Sequence, residues 1–368
     1  MITTAQQLEA RRKLRKLNLP KEAAAVLEDS SCWSEPFCLA FFDACDAALY
    51  EDPRAAFPLA EVAPRLARRV PAESCTPQRR RELETHALAI LGGAHRALGR
   101  LAEADASYAE ALRLIADEPI AAREEANVCR RLAVLRMDQG KFDEALELVR
   151  RAVAIYRSGT GIEDRQNLAW ALLVEGTVHF ENKHSSEAIR LYAEALRHAD
   201  PRRGPRIYYA ALHNLSFALA QGASHPTDLA AALNYLRLAR RRLRGNRQSL
   251  QRLKHRWAEG IILMKFGSTR RAEAALQVVR EGLVELQTPY EVAMVSLDLS
   301  SIYLDEGRFG ELRSLAAETF ALFRSLAIDR EASAALVLWQ EAVKADKLTD
   351  TLLVDVRSTL NRRAAAKR

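Results

Sequence analysis

Glycine and proline are scarce in this chain of 368 residues, with 15 and 12 copies. Such low counts exclude collagen-like, proline-rich and glycine-rich low-complexity classes. Long apolar runs are also missing. The one long stretch without Lys, Arg, Asp or Glu runs from Ile207 to Thr227, but His213, Gln221 and Pro226 interrupt it. Because a membrane-spanning helix needs about 20 consecutive apolar residues, the sequence predicts no membrane span and no membrane partner.

Cysteine is rarer still, and its five copies are odd in number, form no CxxC pair and lie within apolar helical patterns. This pattern argues against a disulfide framework and against a zinc site, and it predicts small core residues. The histidines show no HxH or HExxH spacing, and neither a phosphate-binding loop nor a catalytic array is found. The sequence therefore predicts no metal, no cofactor and no enzymatic activity. The cysteines are Cys32, Cys38, Cys45, Cys75 and Cys129.

Charge and the start of the chain bear on location and partners. The basic segment from Arg11 to Lys16 is not followed by an apolar segment, which a secretory signal peptide requires, so we expect a cytoplasmic protein. The formal net charge of +7 and the pI of 9.2 favour acidic partners, which include an acidic protein or peptide segment and nucleic acid.

What the chain does contain is a repeat. A small residue recurs in windows rich in Ala, Leu, Arg and Glu, and the steps between its copies are 41, 43, 44, 40 and 40 residues. A period of this size predicts an all-α fold, an α-solenoid of stacked antiparallel helix pairs that form a superhelix. The recurring positions are Ala104, Ala145, Ala188, Ala232 and Ala272, with Leu312 as the sixth.

The repeat divides the chain into three predicted parts. Residues 1–75 form an N-terminal helical cap with a degenerate first hairpin, residues 76–326 an array of about six helix pairs, and residues 327–368 capping helices and a basic tail. Gly99, Gly140 and Gly267 stand where a first helix stops and the chain reverses. The predicted pairs are 79–98 and 101–116, 121–139 and 142–158, 165–182 and 185–199, 205–221 and 227–244, 248–266 and 269–285, and 290–306 and 309–326.

Small and apolar residues at fixed offsets carry a family resemblance. The sets Leu88, Gly92, Gly99, Ala104 and Tyr108, and Leu132, Ala133, Gly140, Ala145 and Val149, resemble the tetratricopeptide repeat. The long period resembles the tetratricopeptide region of bacterial maltose-type transcription activators and of peptide-sensing bacterial regulators. The resemblance implies a right-handed superhelix without catalytic activity, whose concave side is lined by first helices and binds a peptide. No DNA-reading helix-turn-helix is recognised.

When the groove-facing positions of that family are applied to the first helices of this chain, they assign amide, cationic and aromatic side chains to the concave groove. Such a set suits an extended peptide, because amides pair with its backbone and cations with its carboxylates. The alternative interpretation is that the aromatic members only pack between helices. The assigned residues are Asn127, Arg130, Trp170, Thr177, Phe180, His213, Asn214, Phe217, Lys254 and Trp257.

A second hypothesis concerns arginine. Arg237, Arg240, Arg241 and Arg244 follow the i, i+3, i+4 and i+7 spacing that forms one stripe on a helix. With the basic segment near the start, this outer stripe could bind the phosphates of nucleic acid or an acidic protein face. The alternatives are a solvated outer face and a role as helper subunit of an enzyme. The leading prediction remains a regulatory sensor or adaptor for a peptide or protein segment.

Overall fold

The structure, a computed structural model, describes residues 4–19, 21–118, 120–223, 225–241, 250–286 and 288–325. In these ranges the chain is helical and has no strand, so the all-α prediction is confirmed. The α-helices are α1 (Thr4–Lys16), α2 (Glu35–Glu51), α3 (Pro53–Arg69), α4 (Pro77–Ala97), α5 (Leu101–Asp117), α6 (Ala122–Asp138), α7 (Phe142–Ser158), α8 (Ile162–Glu181), α9 (Ser185–His198), α10 (Pro205–Gln221), α11 (Pro226–Arg240), α12 (Leu250–Lys265), α13 (Thr269–Glu285), α14 (Pro289–Asp305) and α15 (Phe309–Ser325).

The six predicted helix pairs are α4 and α5 through α14 and α15. The two helices pack on one another in the pairs α4 and α5, α6 and α7, α10 and α11, α12 and α13, and α14 and α15. The five recurring alanines and Leu312 are fully buried at 0% exposure. Twelve residues earlier, each first helix carries another small buried residue: Gly92, Ala133, Gly176, Ala220, Gly260 and Ser300. Small side chains at these positions let the backbones of the helices approach closely. This need explains why small residues recur once in every repeat.

The turns inside the pairs need a left-handed residue. Gly99, Gly140, Gly267 and Gly307 have φ angles of 78°, 75°, 69° and 67°. Lys183 takes the same place between α8 and α9 with a φ of 67° and is the one non-glycine residue with positive φ in the described ranges. The turn is therefore kept where the sequence has lost its glycine, and an L-residue in this region carries strain.

The N-terminal region differs from its prediction in one element. Two short α-helices are expected over residues 3–28, but only α1 is an α-helix, and 3-10 helices follow at Ala23–Leu27 and Ser30–Cys32. Asp29 accepts a hydrogen bond from the backbone N–H of Ser31 and so begins a new turn, which prevents the preceding segment from extending. The predicted capping helices near 330–345 and 349–365 lie outside the described residues.

By compactness the chain divides into two units, between Val178 and His179 within α8. The three-part division from the sequence rests on other criteria and stays a prediction. In the first unit, aromatic residues such as Phe37 and Phe41 fill the core between α2, α3 and α4. The five cysteines are free and buried in this unit, as predicted.

The second unit has its own core, which Leu276, Val279 and Leu283 of α13 build against α12, α14 and α15. The uncharged stretch from Ile207 to Thr227 forms most of α10, which has 17 residues, and the first residues of α11. None of the described helices combines the length and the apolar character that crossing a membrane requires.

Candidate functional site

In the first unit, buried and partly buried polar side chains of α2, α5 and α6 form one cluster. We call Asp46, Tyr108, Asn127, Arg130 and Arg131 the Arg130 cluster. Arg130 donates from Nη2 to Oδ1 of Asn127 at 2.9 Å, and Arg131 donates from Nε to the same oxygen at 3.1 Å. Arg131 also donates from Nη2 to Oδ2 of Asp46 at 2.5 Å. The cluster thereby joins α2 to α6 within one unit.

Charge within the Arg130 cluster is unbalanced. Arg130 is only 7% exposed, and its burial together with the charge of Arg131 lowers the pKa of its guanidinium to about 10. Burial raises the pKa of Asp46, but the Arg131 guanidinium outweighs this effect and holds it below its usual range. Asp46 is therefore ionised near neutral pH, and two guanidinium groups share its one negative charge.

Several donors of the Arg130 cluster are left without a hydrogen-bond acceptor among the described residues. They are Nε of Arg130, Nδ2 of Asn127 and the hydroxyl of Tyr108. The exposures of these three residues are 7%, 8% and 1%. Buried donors are normally paired because an unpaired one keeps its full desolvation cost. The three atoms are shielded from solvent, so the cluster carries their uncompensated desolvation cost within the described residues.

Two consecutive glycines of α4 shape the surroundings of the cluster. The ring of Tyr108 lies against Gly92, where an added Cβ would stand 2.8 Å from Cζ. At Gly93 an added Cβ would stand 3.6 Å from Nη1 of Arg131 and 3.7 Å from the Tyr108 hydroxyl oxygen, with no other atom closer. Gly93 is also partly exposed. A methyl group at Gly93 would therefore be in ordinary contact with these two atoms, in contrast to Gly92.

Further polar contacts hold the first helices of this unit together. His86 Nδ1 lies 3.1 Å from Glu124 Oε2, and Arg96 Nη1 lies 2.7 Å from Asp138 Oδ2, so that both contacts join α4 to α6. The Arg130 guanidinium lies over the side chain of Trp170 on α8, and the distance from Cζ of Arg130 to the centroid of the Trp170 ring is 5.8 Å. The cluster thus stands on helices that several contacts fix in place, which favours a preformed site.

In the second unit the first helices carry aromatic and imidazole rings instead. Tyr209 and His213 of α10 and His255 of α12 form a triangle with ring centroids 5.7, 6.3 and 6.4 Å apart. Burial lowers the pKa of His213, although hydrogen bonds with the Asn214 side chain and the Lys254 backbone raise it in part. Burial and the charges of His213, Arg240 and Arg252 lower the pKa of His255 to about 4. Both imidazoles are neutral at pH 7.

The remaining sequence-assigned groove residues fall into local contacts. Phe180 and Phe217 pack at a centroid distance of 5.8 Å. The indole Nε1 of Trp257 donates to Oδ2 of buried Asp298 at 2.6 Å. Lys254 stands 3.9 Å from a carboxylate oxygen of Glu291, and Thr177 donates to the carbonyl of Leu173 in its own helix at 2.8 Å. Asn214 is partly buried beside His213.

The structure therefore brings Asn127, Arg130 and Trp170 together in the first unit, and His213, Asn214 and Lys254 in the second. Sequence reasoning missed Asp46, Tyr108, Arg131 and Gly93 as neighbours of Arg130, and Tyr209 and His255 as neighbours of His213. The pair Gly92-Gly93 inside a helix of a glycine-poor chain was a usable signal, because interior glycines mark a close approach. Nothing in the sequence pointed to Asp46.

The structure describes three of the four residues of the arginine stripe. Arg237, Arg240 and Arg241 are exposed at the end of α11, and Arg237 Nη1 donates to Oδ1 of Asn234 at 3.4 Å. Arg244 lies outside the described residues. Across the described ranges, no three His, Cys, Asp or Glu side chains are arranged as metal ligands would be.

Comparison with known proteins identifies the repeat. Models of the tetratricopeptide repeat family match residues 85–118 and 124–200. No curated protein sequence matches at a significant level. A solved Rap protein, complexed with competence and sporulation factor, is 12% identical, with a TM-score of 0.61 over 89% of this chain and 87% of that chain.

Two further solved structures are similar. The Rap conjugation gene regulator of plasmid pLS20, in complex with a Phr peptide, is 13% identical, with a TM-score of 0.50 over 85% of this chain and 96% of that one. A signal transduction ATPase from Pyrococcus horikoshii with a tetratricopeptide repeat sensor is 11% identical, with a TM-score of 0.58 over 98% of this chain and 53% of that one. The chain therefore contains tetratricopeptide repeats within residues 85–200, and its fold resembles that of the Rap proteins.

Proposed function

We propose that this protein is a non-catalytic, cytoplasmic regulatory sensor or scaffold that binds a peptide or protein segment on the first-helix face, the surface formed by the first helices of its pairs. The observation that carries the proposal is the tetratricopeptide array, whose first helices place amide, cationic and aromatic side chains at equivalent repeat positions, such as Asn127 and Arg130 on α6 and Asn214 and Phe217 on α10. An extended peptide supplies carbonyl and carboxylate oxygens for the amide and cationic groups and apolar side chains for the aromatic ones.

The chemistry of the second unit supports the same function. Asn214 offers an amide to a peptide backbone, and the neighbouring Phe217 offers an aromatic face to an apolar side chain. Two of the similar solved structures are Rap proteins, and one of them holds a Phr peptide. The five free thiols suit a reducing compartment, which is why we place the protein in the cytoplasm.

A displayed library of random peptides, each about 12 residues long, tests the proposal on the full chain. We expect peptides that bind the wild type and that lose about tenfold in affinity with either Asn127→Ala or Asn214→Ala, since each change removes an amide from the first-helix face. Asn234→Ala is the matched control, because Asn234 is an exposed amide of the second helix α11.

Affinity is measured by fluorescence polarisation with labelled copies of the selected peptides, after circular dichroism has shown that each variant is folded. The control should bind as the wild type does. The proposal fails if the library yields no binding peptide, or if every selected peptide binds both first-helix variants as tightly as it binds the wild type.

A further inference from the structure

An open groove, which we call the α5–α6 groove, lies along these two helices of the first unit. Ala106, Ala109 and Leu112 of α5 and Leu132 of α6 form its apolar walls. Its volume is about 290 Å³, at the lower limit of the range of about 300 to 1,000 Å³ for pockets that enclose small molecules. Ala106 and Ala109 are also exposed. The groove therefore suits an apolar side chain that a partner protein inserts.

The charged side chains at one end of the α5–α6 groove compensate one another. Nη1 of Arg136 lies 2.5 Å from Oδ1 of Asp105, and its Nε lies 3.1 Å from Oε2 of Glu144. Nε2 of Gln139 donates to Oδ2 of Asp105 at 2.7 Å. An apolar side chain can therefore enter without leaving a charge unpaired. Because two carboxylates meet one guanidinium, this end stays negative.

Helix α5 adds to the negative charge. It carries four carboxylates, and its one cation, Arg113, already contacts Glu110 at 2.6 Å and Asp117 at 2.9 Å. Glu103 is exposed and forms no ion pair with another described residue. A partner for this surface therefore needs an apolar side chain with cations beside it. The four carboxylates are those of Glu103, Asp105, Glu110 and Asp117.

The outer face of α1 offers that combination. The inner face packs on the core through buried Ala10 and half-buried Leu14. Leu8, Arg12 and Arg15 follow the i, i+4 and i+7 spacing of a single helix face, and all three are exposed. Leu8 is 51% exposed, which is rare for a large apolar side chain. Neither Arg12 nor Arg15 has an ion-pair partner in the ranges that the structure describes.

We propose that α1 of one copy of this chain docks on the α5–α6 groove of a second copy. Leu8 enters between Ala109 and Leu132, and Arg12 and Arg15 face the carboxylates of α5. The two surfaces are different patches of the first unit, so the contact is heterologous and leaves a free α1 face and a free groove at the ends of each assembly. The contact does not require a peptide on the first-helix face.

The charges of the two helices are complementary. Helix α1 carries five cations and one carboxylate, whereas α5 carries four carboxylates and one cation. Two of the five cations, Arg11 and Lys13, contact Asp43 and Asp29, so three stay available to a partner. One helix in one groove buries a small area, and we therefore expect a micromolar affinity that weakens as salt is added.

Sedimentation velocity of the full chain, at about 1 to 200 µM protein, tests the contact. We expect the mean sedimentation coefficient of the wild type to rise with concentration. Leu8→Gln/Arg12→Glu removes the apolar side chain and reverses one charge, and Ala109→Arg fills the groove and adds a cation. Each variant should raise the dissociation constant at least about tenfold.

The matched control is Val284→Gln/Arg270→Glu, which makes the same two changes on α13, where Val284 is 53% exposed and Arg270 is exposed. It should associate as the wild type does. All changed positions are exposed, and circular dichroism checks that each variant is folded.

An equimolar mixture of Leu8→Gln/Arg12→Glu and Ala109→Arg tests the direction of the contact. The first variant keeps its groove and the second keeps its α1 face, so the mixture should form a heterodimer with wild-type affinity and no larger species. A wild type that stays monomeric over the whole concentration range overturns the inference. Association that both variants retain overturns it as well, and so does a mixture that stays monomeric while the wild type associates.

Discussion

The pairs Asn127 and Arg130 on α6, and Asn214 and Phe217 on α10, occupy the same places in their repeats. Each asparagine stands 18 residues before the packing alanine of its pair, Ala145 or Ala232, and each partner stands 15 residues before it. In the first unit the partner is a buried guanidinium, whereas in the second it is an aromatic ring. One scaffold therefore presents two chemistries from equivalent positions.

The residues around the two pairs differ in the same way, since those around Arg130 are charged and those in the second unit are uncharged. Arg130 lies among charged groups and unpaired donors, while the second unit gathers Tyr209, His213 and His255 as uncharged rings. A ligand of the first surface needs a charged group, and a ligand of the second needs apolar or neutral groups. The contrast shows that the repeat fixes where a side chain stands, while each residue decides what it can recognise.

The largest expected effect concerns the close helix approaches of the two units. In Gly92→Ala the new methyl would stand 2.8 to 3.0 Å from three atoms of the Tyr108 ring, which is rigid and 1% exposed. Gly260→Ala meets the branched end of Leu276 instead, which can rotate away more easily. We expect Gly92→Ala to lower the free energy of unfolding by about 1–3 kcal/mol, and by more than Gly260→Ala does.

Urea unfolding followed by circular dichroism measures both values. Gly93→Ala is the matched control, since its methyl finds free space and alanine favours a helix, so its stability should equal or exceed that of the wild type. Equal losses at Gly92 and Gly93 would contradict the tight packing of Tyr108 against α4.

The second prediction concerns the pH dependence of stability, which we expect His255 of the second unit to cause and the Arg130 cluster of the first unit not to affect. The pKa of His255 is about 4 in the folded protein and about 6.5 in an unfolded chain, so the unfolded chain takes up the proton first as the pH falls. Stability contributed by neutral His255 is therefore complete above about pH 6.5 and is lost between pH 6.5 and 4. At pH 5 we expect a loss of about 2 kcal/mol relative to pH 7.

Comparison of the urea midpoints at pH 7 and pH 5 checks this loss, and His255→Phe should remove most of it. The charges of the Arg130 cluster do not change in this interval, because the pKa of Asp46 lies below its ordinary value and that of Arg130 is about 10. Arg130→Met should accordingly leave the pH dependence intact. An unchanged pH dependence in His255→Phe would show that the imidazole is not held neutral.

Much of the fold could be predicted because its signals are local. Apolar spacing predicted α4 to α7 to within two residues at each end, and Gly99 and Gly140 marked their turns. The site could be predicted only in part. Asn127 and Arg130 follow from the repeat phase, but Asp46 and Tyr108 reach them from other helices through tertiary packing. No periodicity along the chain encodes such a meeting.

The smallest effect is expected at the turns. Gly140 in the first unit and Lys183 in the second both adopt a left-handed conformation, with φ of 75° and 67°. Lys183→Gly should raise the free energy of unfolding by up to about 1 kcal/mol, because relief of the left-handed strain exceeds the added freedom of the unfolded chain. Gly140→Lys should lower it by a similar amount. Thermal unfolding detects both changes, and a destabilised Lys183→Gly would mean that the lysine side chain stabilises the turn.

Photo-cross-linking can locate a library-selected peptide on the full-length protein, with benzoylphenylalanine in the peptide and mass spectrometry to map the adducts. We expect adducts on first helices, at α6 and α8 around Trp170 or at α10 and α12 around Asn214 and Trp257. Adducts confined to second helices, such as the exposed end of α11 around Arg237 and Arg240, would contradict this expectation.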